Sequence, residues 1–305
     1  MALFVRKGGS RHAGQAALPQ RNIQAGIAMA GLIGCGNAKQ PEKSTSVEEL
    51  SELGKITVVS REEGSGTRST FSQLLDFQSK EEGRADLTTE DAIITESSEG
   101  VIDLVESDSA GIGYLSMGTQ DLDKVKVLSV NGISADVNDS KYPLNRGFYL
   151  AYSGKLSELE QDFMIYIHGA GQEIVGKSYA QIAKSSTFLS NQAKGTIVIG
   201  GSSSVYPLIK ELAENYMKIN PNAEITVKQS DSTDGLTGAM NGTYDLGMSS
   251  RELKDYEKEL LDYEMIARDG IAVVVNKSNP LTDISSDQLK QIYTGDKKEW
   301  GNLNE

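Results

Sequence analysis

The chain has 305 residues, with 30 Lys or Arg against 43 Asp or Glu, and its formal net charge is −13. This length can bury one large or two medium hydrophobic cores, which excludes a miniprotein held together by disulfides. A single Cys excludes an intrachain disulfide and a thiolate metal cluster, and the presence of only two His residues argues against a histidine-built metal site or a Ser–His triad. The excess of acidic residues disfavours nucleic acid as the main partner.

The first 53 residues have the pattern of an exported, anchored protein. Residues 1–34 contain basic but no acidic side chains and end in an apolar run too short to span a bilayer, which predicts a secretory signal. Residues 32–35 resemble the bacterial lipobox, in which Cys35 becomes the lipidated first residue; the alternative is a buried Cys in an ordinary helix. Residues 36–49 are polar, and the segment 35–53 is predicted to form a flexible tether. The stretch before the apolar run is long for a signal, so the true start site is left open.

From residue 54 onward, short apolar strands alternate with amphipathic helices. The predicted elements in chain order are strand 55–59, a helix after 67, a helix near 102–105, strand 111–115, strand 146–152, helix 156–168, strand 196–199, helix 205–217, strand 224–228, a helical segment after 235, strand 245–248, strand 271–275 and helix 285–294. Helix 205–217 has the clearest apolar stripe, and strand 271–275 is a continuous apolar run typical of burial on both faces. This alternation predicts an α/β protein with parallel-rich sheets.

Three of the strand-to-helix loops are made of Ser, Thr and Gly, at 65–67, 202–204 and 232–233. A helix N-terminus has four unsatisfied N–H groups and about half a positive charge, and so binds anions without Lys or Arg. One such loop alone is ordinarily a helix cap. Three loops that converge would surround one anion with roughly ten donors.

Arg61 lies four residues before the first of these loops and offers a planar fork suited to an oxyanion. Glu62 or Glu63 is placed to hold its guanidinium, whereas Arg68 and Arg251 are expected to be solvated surface residues. The loops contain no Walker A pattern and no nucleophile elbow with a usable His, so nucleotide and serine hydrolysis are disfavoured. We predict no catalytic residue, no metal and no cofactor.

Five segments together resemble the substrate-binding proteins of phosphate ABC transporters: 60–68, 199–205, 245–253, 269–276 and 281–300. The resemblance covers about 54–305 and implies the type 2 periplasmic-binding-protein fold, in which two α/β lobes joined by two crossing strands close on the ligand. It implies one lobe from 54–150 plus 276–305, with the Arg-Gly-Ser-Gly-Thr loop, and another from 151–275, with the Gly-Ser-Ser-Ser loop. The hinge candidates are 271–276 and 146–152.

The order of these motifs is rotated relative to the usual family pattern, in which the Gly-Ser-Ser-Ser loop comes first. Here the Arg-containing loop opens the domain, and the usual first motif begins near Gly195. We interpret this order as a circular permutation, with residues 178–195 joining the old C-terminus to the old N-terminus. The alternative is two unrelated half-domains. Permutation predicts that Lys55 and Glu305 lie within loop-closing distance.

Residue by residue, the resemblance implies that the anion is bound from both lobes. The implied ligands are Arg61, Ser65, Gly66 and Thr67 from one lobe, and Ser203, Ser204, the N–H of Val205, Ser232 and Ser250 from the other. Some family members have Asp at the position of Ser250, where it accepts the proton of hydrogen phosphate and excludes sulfate. Asp231, Asp234 and Glu63 are open candidates for that role.

These patterns lead to the hypothesis of a monomeric lipoprotein, anchored to the membrane outside the cytoplasm, that binds inorganic phosphate and delivers it to the permease subunits of an ABC importer. The alternatives are an anion-sensing or adhesive surface lipoprotein of the same fold, a binder of sulfate or molybdate, and, with least support, an enzyme acting on phosphate esters.

Overall fold

In a computed structural model of the protein, the residues described are 47–80 and 85–303, which belong to one compact unit. The predicted signal peptide, the lipidation site Cys35 and most of the predicted tether lie outside these residues. Within the described part of the chain, no helix is both long enough and apolar enough to cross a membrane.

The strands and helices of the described residues alternate along most of the chain. The strands are β1 (Thr57–Arg61), β2 (Ile93–Thr95), β3 (Gly111–Ser116), β4 (Lys126–Val127), β5 (Ser129–Val130), β6 (Asn145–Tyr152), β7 (Gly195–Ser202), β8 (Ala223–Ser230), β9 (Leu246–Ser249), β10 (Asp262–Val275) and β11 (Asp283–Ile284). The helices are α1 (Val47–Ser51), α2 (Gly66–Leu74), α3 (Ser98–Ser107), α4 (Glu158–His168), α5 (Gln172–Val175), α6 (Tyr206–Ile219), α7 (Ser232–Asn241), α8 (Asp255–Leu260) and α9 (Ser286–Thr294), with short 3₁₀ turns at Leu122–Lys124 and Trp300–Asn302.

Nine of these strands form one sheet in the order β2-β1-β3-β10-β6-β9-β7-β8, with β4 paired to β10. At one end β1 is parallel to β2 and β3, and at the other β7 is parallel to β8 and β9. Between them β10 is antiparallel to β3 and β6, and β6 is antiparallel to β9. The predicted α/β class with parallel-rich sheet regions is confirmed.

The buried side chains divide into two halves of the sheet, which we call lobe 1 and lobe 2. The lobe 1 cores draw on residues up to Leu144 and from Ile271 onward, whereas the lobe 2 cores lie between Phe148 and Ala267. The chain therefore crosses between the lobes twice, on β6 near 144–148 and on β10 near 267–271. The hinge candidate 146–152 overlaps the first crossing, but the candidate 271–276 lies beyond the second, since Ile271, Val273 and Val275 are already part of a lobe 1 core.

Helix α1 corrects part of the predicted tether. Residues 47–51 are helical, and Leu50, which is 1% exposed, packs into the lobe 1 core with the half-buried Leu53 beside it. The tether prediction for 35–53 is therefore wrong at 47–53. The polar composition of the segment concealed two leucines that bury themselves against lobe 1.

The segment after α1 pairs with the end of the described chain. Lys55 forms an antiparallel bridge with Glu299, Ile56 N–H donates to the Lys298 carbonyl (2.8 Å), and Trp300 N–H donates to the Gly54 carbonyl (3.0 Å). Trp300 itself is fully buried. Glu305 lies outside the described residues, so the predicted proximity of Lys55 and Glu305 stays a prediction.

The clearest predicted helix is confirmed. The apolar stripe predicted from the sequence faces the lobe 2 core, where Leu208, Ile209, Leu212, Ala213 and Tyr216 are buried along α6. Pro207 in the first turn is favourable because its missing N–H falls among groups without an intrahelical acceptor.

Candidate functional site

Three helix N-termini and the end of one strand meet where the two lobes touch. β1 ends at Arg61 and leads to α2, whose N-cap is Ser65. β7 leads to α6 after Val205, and β8 leads to α7 after Asp231. These are carboxyl ends of parallel strands, the edge at which open α/β sheets bind their ligands.

The structure brings the predicted site residues together across the lobes. The Arg61 Nη2 atom donates to Ser203 Oγ (2.9 Å), and the hydroxyls of Thr67 and Ser204 lie 2.9 Å apart. On the same boundary Thr70 Oγ1 donates to the Ser250 carbonyl (3.3 Å). The nine predicted ligand residues are all buried in this closed arrangement.

Arg61 keeps one nitrogen free inside the site. Its Nε and Nη2 atoms bind the two carboxylate oxygens of Glu62 (2.8 and 2.7 Å), so Glu62, one of the two acids named from the sequence, holds the guanidinium. Nη2 also reaches the Glu96 carbonyl (3.3 Å). Nη1 is buried and has no hydrogen-bond partner among the described residues. A buried charged donor without an acceptor is costly, and it marks the place where an anion would bind.

The hydroxyls around Arg61 are oriented by donors behind them. Ser203 accepts from Arg61, Ser232 accepts from the Ser250 N–H (3.1 Å), and Ser250 accepts from Ser202 Oγ (2.9 Å). A hydroxyl that accepts from a donor on one side must direct its own proton elsewhere. The site therefore presents hydroxyl protons to an acceptor such as an oxyanion.

Gly66 permits the close approach of the lobes at this point. A Cβ atom at Gly66 would lie 2.2 Å from Ser232 Oγ and 2.5 Å from Ser250 Oγ. Every residue type with a side chain would therefore hold the two lobes apart here.

One predicted ligand group is engaged elsewhere. The N–H of Val205 donates to the Ser202 carbonyl (3.0 Å) and closes a turn before α6. In this structure it is not a free donor, contrary to the prediction. The reason is local: the residues 202–205 form a tight turn before the helix, and that turn uses the N–H itself.

Two of the three candidate acids already accept hydrogen bonds within their own segment of the chain. Asp231 Oδ1 caps α7 by accepting from the N–H groups of Thr233 and Asp234 (2.7 and 2.9 Å). Asp234 Oδ2 accepts from Ser230 and Tyr244 (2.6 and 3.0 Å). Glu63 is exposed and lines, together with Ser65, a cleft of about 180 Å³.

Two arginines expected at the surface form ion pairs beside this cleft. Arg68 binds Asp86 through two nitrogens (2.8 and 3.0 Å), and Arg251, only 3% exposed, binds both oxygens of Glu257 (2.7 and 2.8 Å). Burial alone would raise the pKa of Asp86 and Glu257, but hydrogen bonds from their arginines and from nearby backbone N–H groups outweigh it and lower both pKa values. The surface prediction for Arg251 is wrong because Glu257, six residues further along the chain, is buried with it and neutralises its charge.

Sequence reasoning also missed a second buried arginine at the site. Arg146 on β6 lies opposite Asp269 on β10, and its Nη1 atom donates to Thr67 Oγ1 (2.7 Å). Burial lowers the pKa of Arg146 and raises that of Asp269, while their mutual attraction opposes both shifts. Arg146 stood in a predicted strand and Asp269 in a motif, but no local pattern joins residues so far apart in the chain.

No group of three or more His, Cys, Asp or Glu side chains is arranged to hold a metal ion in the described parts of the chain. The chemistry offered by the site is hydrogen-bond donation by hydroxyls and by the guanidinium of Arg61, with the guanidinium of Arg146 behind Thr67.

Comparison with known proteins gives matches along most of the chain. The family model of the PBP superfamily domain matches residues 9–169 and 186–304. Phosphate-binding protein PstS 2 of Streptococcus agalactiae is 38% identical over 286 residues, which is 91% of this chain and 96% of the relative. PstS 2 of Streptococcus pneumoniae is 37% identical over 285 residues, again 91% of this chain and 96% of the relative. Phosphate-binding protein PstS of Bacillus subtilis is 37% identical over only 116 residues, 37% of this chain and 38% of the relative.

The crystal structure of a phosphate-binding protein of a phosphate ABC transporter from Streptococcus pneumoniae is similar over 82% of this chain and 100% of its own, with 36% identity and a TM-score of 0.68. This similarity confirms the predicted two-lobe periplasmic-binding-protein fold.

Proposed function

This chain belongs to the PBP superfamily, and we propose that it binds inorganic phosphate between its two lobes and delivers it to an ABC importer. The observation that carries the proposal is the buried Nη1 atom of Arg61, which has no hydrogen-bond partner among the described residues and belongs to a guanidinium whose Nη2 atom donates to the Ser203 hydroxyl of the other lobe. The names of the streptococcal relatives, which align with nearly the whole chain, support phosphate as the anion. The proposal includes no covalent chemistry.

The proposed ligand set contains Arg61, Ser65, Gly66 and Thr67 from lobe 1 and Ser203, Ser204, Ser232 and Ser250 from lobe 2. Helix N-termini and hydroxyls donate hydrogen bonds that replace the water around an anion, and they add no net charge. Arg61 supplies a charge-assisted hydrogen bond. Glu62 offsets the charge of Arg61, so the site holds its ligand by many donors more than by excess positive charge.

We further propose that the protein is a monomer tethered outside the cytoplasmic membrane by a lipid on Cys35, with the transporter permease as its partner. The basic and then apolar segment before Cys35 supports this location. Mass spectrometry of the membrane-extracted protein tests it: the expected first residue is a diacylated Cys35, and an unmodified Cys35 would contradict the anchor.

We also propose that the fold is circularly permuted, with lobe 1 built from the residues before the crossing at 144–148 and after the crossing at 267–271, and lobe 2 from the residues between the two crossings. The pairing of Lys55 with Glu299 supports this proposal, since the usual motif order would join these segments directly. The part-length match with the Bacillus subtilis protein, beside the full-length matches with the streptococcal proteins, is also what a rotated motif order produces.

Calorimetric titration of the chain without residues 1–34 tests the binding function. We expect phosphate to bind with a dissociation constant in the micromolar range or below, and more tightly than sulfate or molybdate. The absence of phosphate binding at micromolar concentrations would refute the proposal. Tighter binding of sulfate or molybdate would mean that the ligand of the protein is that anion and not phosphate.

The variant Arg61→Ala isolates the group that carries the proposal. Loss of a charge-assisted hydrogen bond to an anion costs about 1.5–3 kcal/mol, so the affinity should fall by about 10- to 150-fold. Arg268→Ala is the matched control, because Arg268 is an exposed arginine on β10. Unchanged affinity in Arg61→Ala would remove Arg61 from the site.

A further inference from the structure

We propose that Arg146, held by Asp269, is a positioning residue that fixes the Thr67 hydroxyl as a donor to the bound anion. This inference rests on the proposed function, because it concerns how one member of the proposed ligand set is prepared for binding.

The contacts of Arg146 connect the lobe crossing to the site. Its Nε and Nη2 atoms both bind Asp269 Oδ2 (2.9 and 2.7 Å), which leaves Nη1 to donate to Thr67 Oγ1 (2.7 Å). The side chains of Arg146 and Asp269 are 1% and 0% exposed. The guanidinium also lies over the ring of Phe148, 5.2 Å from its centroid. The arginine is thus fixed by an anion and by an aromatic ring before it reaches Thr67.

The direction of the Thr67 hydrogen bond follows from the chemistry of arginine. A guanidinium has only donors, so Thr67 Oγ1 must be the acceptor of the bond from Arg146. The Thr67 proton therefore points away from Arg146, on the side where the Ser204 hydroxyl of the other lobe lies 2.9 Å away; in that pair either oxygen can be the donor. A bound oxyanion consists mainly of acceptors and needs that proton. Without Arg146, the hydroxyl would be free to rotate, and part of the binding free energy would be spent on orienting it.

The location of the Arg146–Asp269 ion pair between the lobes fits its role in orienting the Thr67 hydroxyl. Arg146 and Asp269 face each other in register on β6 and β10, at the point where both strands pass between the lobes. A buried pair of this kind contributes little to stability compared with apolar side chains, so stability alone does not account for it, and a positional role does. Asp269 also keeps the second arginine from adding net positive charge next to Arg61.

A double-mutant cycle in phosphate affinity separates this role from a structural one. The variants are Arg146→Lys, Thr67→Val and the double variant, with Thr67→Ser as a further background that keeps the hydroxyl. Lysine retains the charge opposite Asp269 but has a single nitrogen and cannot also bind Thr67 in the same way. We expect Arg146→Lys to weaken phosphate binding about 5- to 10-fold when residue 67 carries a hydroxyl, and less than about 2-fold in the Thr67→Val background.

Urea unfolding without phosphate checks that each variant is folded. If Arg146→Lys is not folded, Asp269→Asn takes its place in the cycle, because it removes the charge that holds Arg146. Arg268→Lys, an exposed neighbour, is the control and should change nothing. Equal losses with and without the Thr67 hydroxyl would overturn the inference, as would an unchanged affinity in Arg146→Lys. If the unmodified protein binds phosphate and the losses are additive, only this inference fails. If it binds another anion, the same cycle is run with that anion, and if it binds none, the inference fails together with the proposed function.

Discussion

At the scale of single residues, the site consists of donors. Thr67, Ser203, Ser232 and Ser250 each accept a hydrogen bond from a group behind them, and so they have protons to give to a ligand. Hydrogen phosphate carries one proton of its own and sulfate carries none. Asp231 and Asp234 each already use one carboxylate oxygen within their own segment, and Glu63 is exposed, so we expect a hydroxyl to accept the phosphate proton. Discrimination against sulfate should therefore be weaker than in a site that has a carboxylate in place of Ser250.

Ser250→Asp tests this account of selectivity. A buried carboxylate repels an anion that has only acceptors, whereas it pairs with the proton of hydrogen phosphate. We expect the ratio of phosphate to sulfate affinity to rise by about 10-fold or more, since one unpaired buried charge costs at least about 1.4 kcal/mol. Calorimetry with both anions measures the ratio.

Ser250→Asn is the control for the added volume, because it has the size of Asp without the charge. It should weaken the binding of both anions to a similar extent. A Ser250→Asp variant with an unchanged ratio would show that the selectivity lies elsewhere in the site.

At the scale of elements, α8 is attached to the fold through one buried ion pair. Glu257 is 1% exposed, accepts from Arg251 through both oxygens and also accepts from the Lys254 N–H (2.7 Å). These bonds outweigh burial and hold the pKa of Glu257 below its ordinary value. A carboxylate with a lowered folded-state pKa adds stability that is full above its unfolded pKa of about 4.3 and is lost as the pH falls through the folded value.

Glu257→Gln should therefore show a pH-dependent loss of stability. At pH 7 the variant leaves the buried Arg251 without its anion, and we expect its free energy of unfolding to fall by about 3 kcal/mol. As the pH falls below the unfolded-state pKa of about 4.3, the unfolded wild-type chain binds a proton that the folded protein does not, so the difference between the two proteins should shrink. Urea unfolding at several pH values measures this difference, with Glu259→Gln, an exposed acid on the same helix, as the control. A difference that stays constant with pH would contradict the role of the charge.

The elements also show which parts of the molecule are predictable from sequence. Helix α6 and the apolar half of β10 were predictable because their own side chains carry the pattern of burial. The first half of β10, from Asp262, alternates apolar and charged residues and extends the strand well beyond the predicted 271–275. This half of the strand forms because β6 pairs with it, and that pairing depends on the tertiary structure and not on the local sequence.

The residues of the site likewise include some that the sequence alone predicts and some that it does not. Arg61 and the Ser, Thr and Gly loops stand next to one another in the chain, so their chemistry was visible locally. Arg146 and Asp269 are separated by 123 residues, and only the pairing of β6 with β10 brings them together. The hydrogen bond of the Val205 N–H could not be predicted either, although its two partners are close in the chain. It depends on the backbone conformation of one turn, which the residue types do not specify.

At the scale of the whole molecule, a net charge of −13 is compatible with an anionic ligand. The two buried arginines at the site are each balanced by one acid, Glu62 or Asp269, so the site is close to neutral. Salt screens charges on the distant surface beyond about 10 Å. Binding is therefore decided by the local donors, and the affinity should depend on them far more than on the overall charge.

The pairing of Lys55 with Glu299 makes the proposed permutation testable with a reordered chain. The new chain starts at Ser186, runs to Leu303, continues through a flexible linker of about eight residues and then runs from Val47 to Ser185. Such a linker spans up to about 28 Å, ample for segments that already contact each other at Trp300 and Gly54. The cut between Ser185 and Ser186 falls in an exposed segment, where breaks are tolerated.

We expect the reordered chain to fold and to bind phosphate within about 10-fold of the original affinity, because every strand pairing and every ligand group is retained. Circular dichroism, urea unfolding and calorimetry measure these properties. A chain cut instead between Asp269 and Gly270 is the control; it breaks β10 where the strand is buried and crosses between the lobes, so it should not fold. An unfolded Ser186 chain would mean that the fold depends on the present order of its lobes, and the permutation would then no longer explain the order of the motifs.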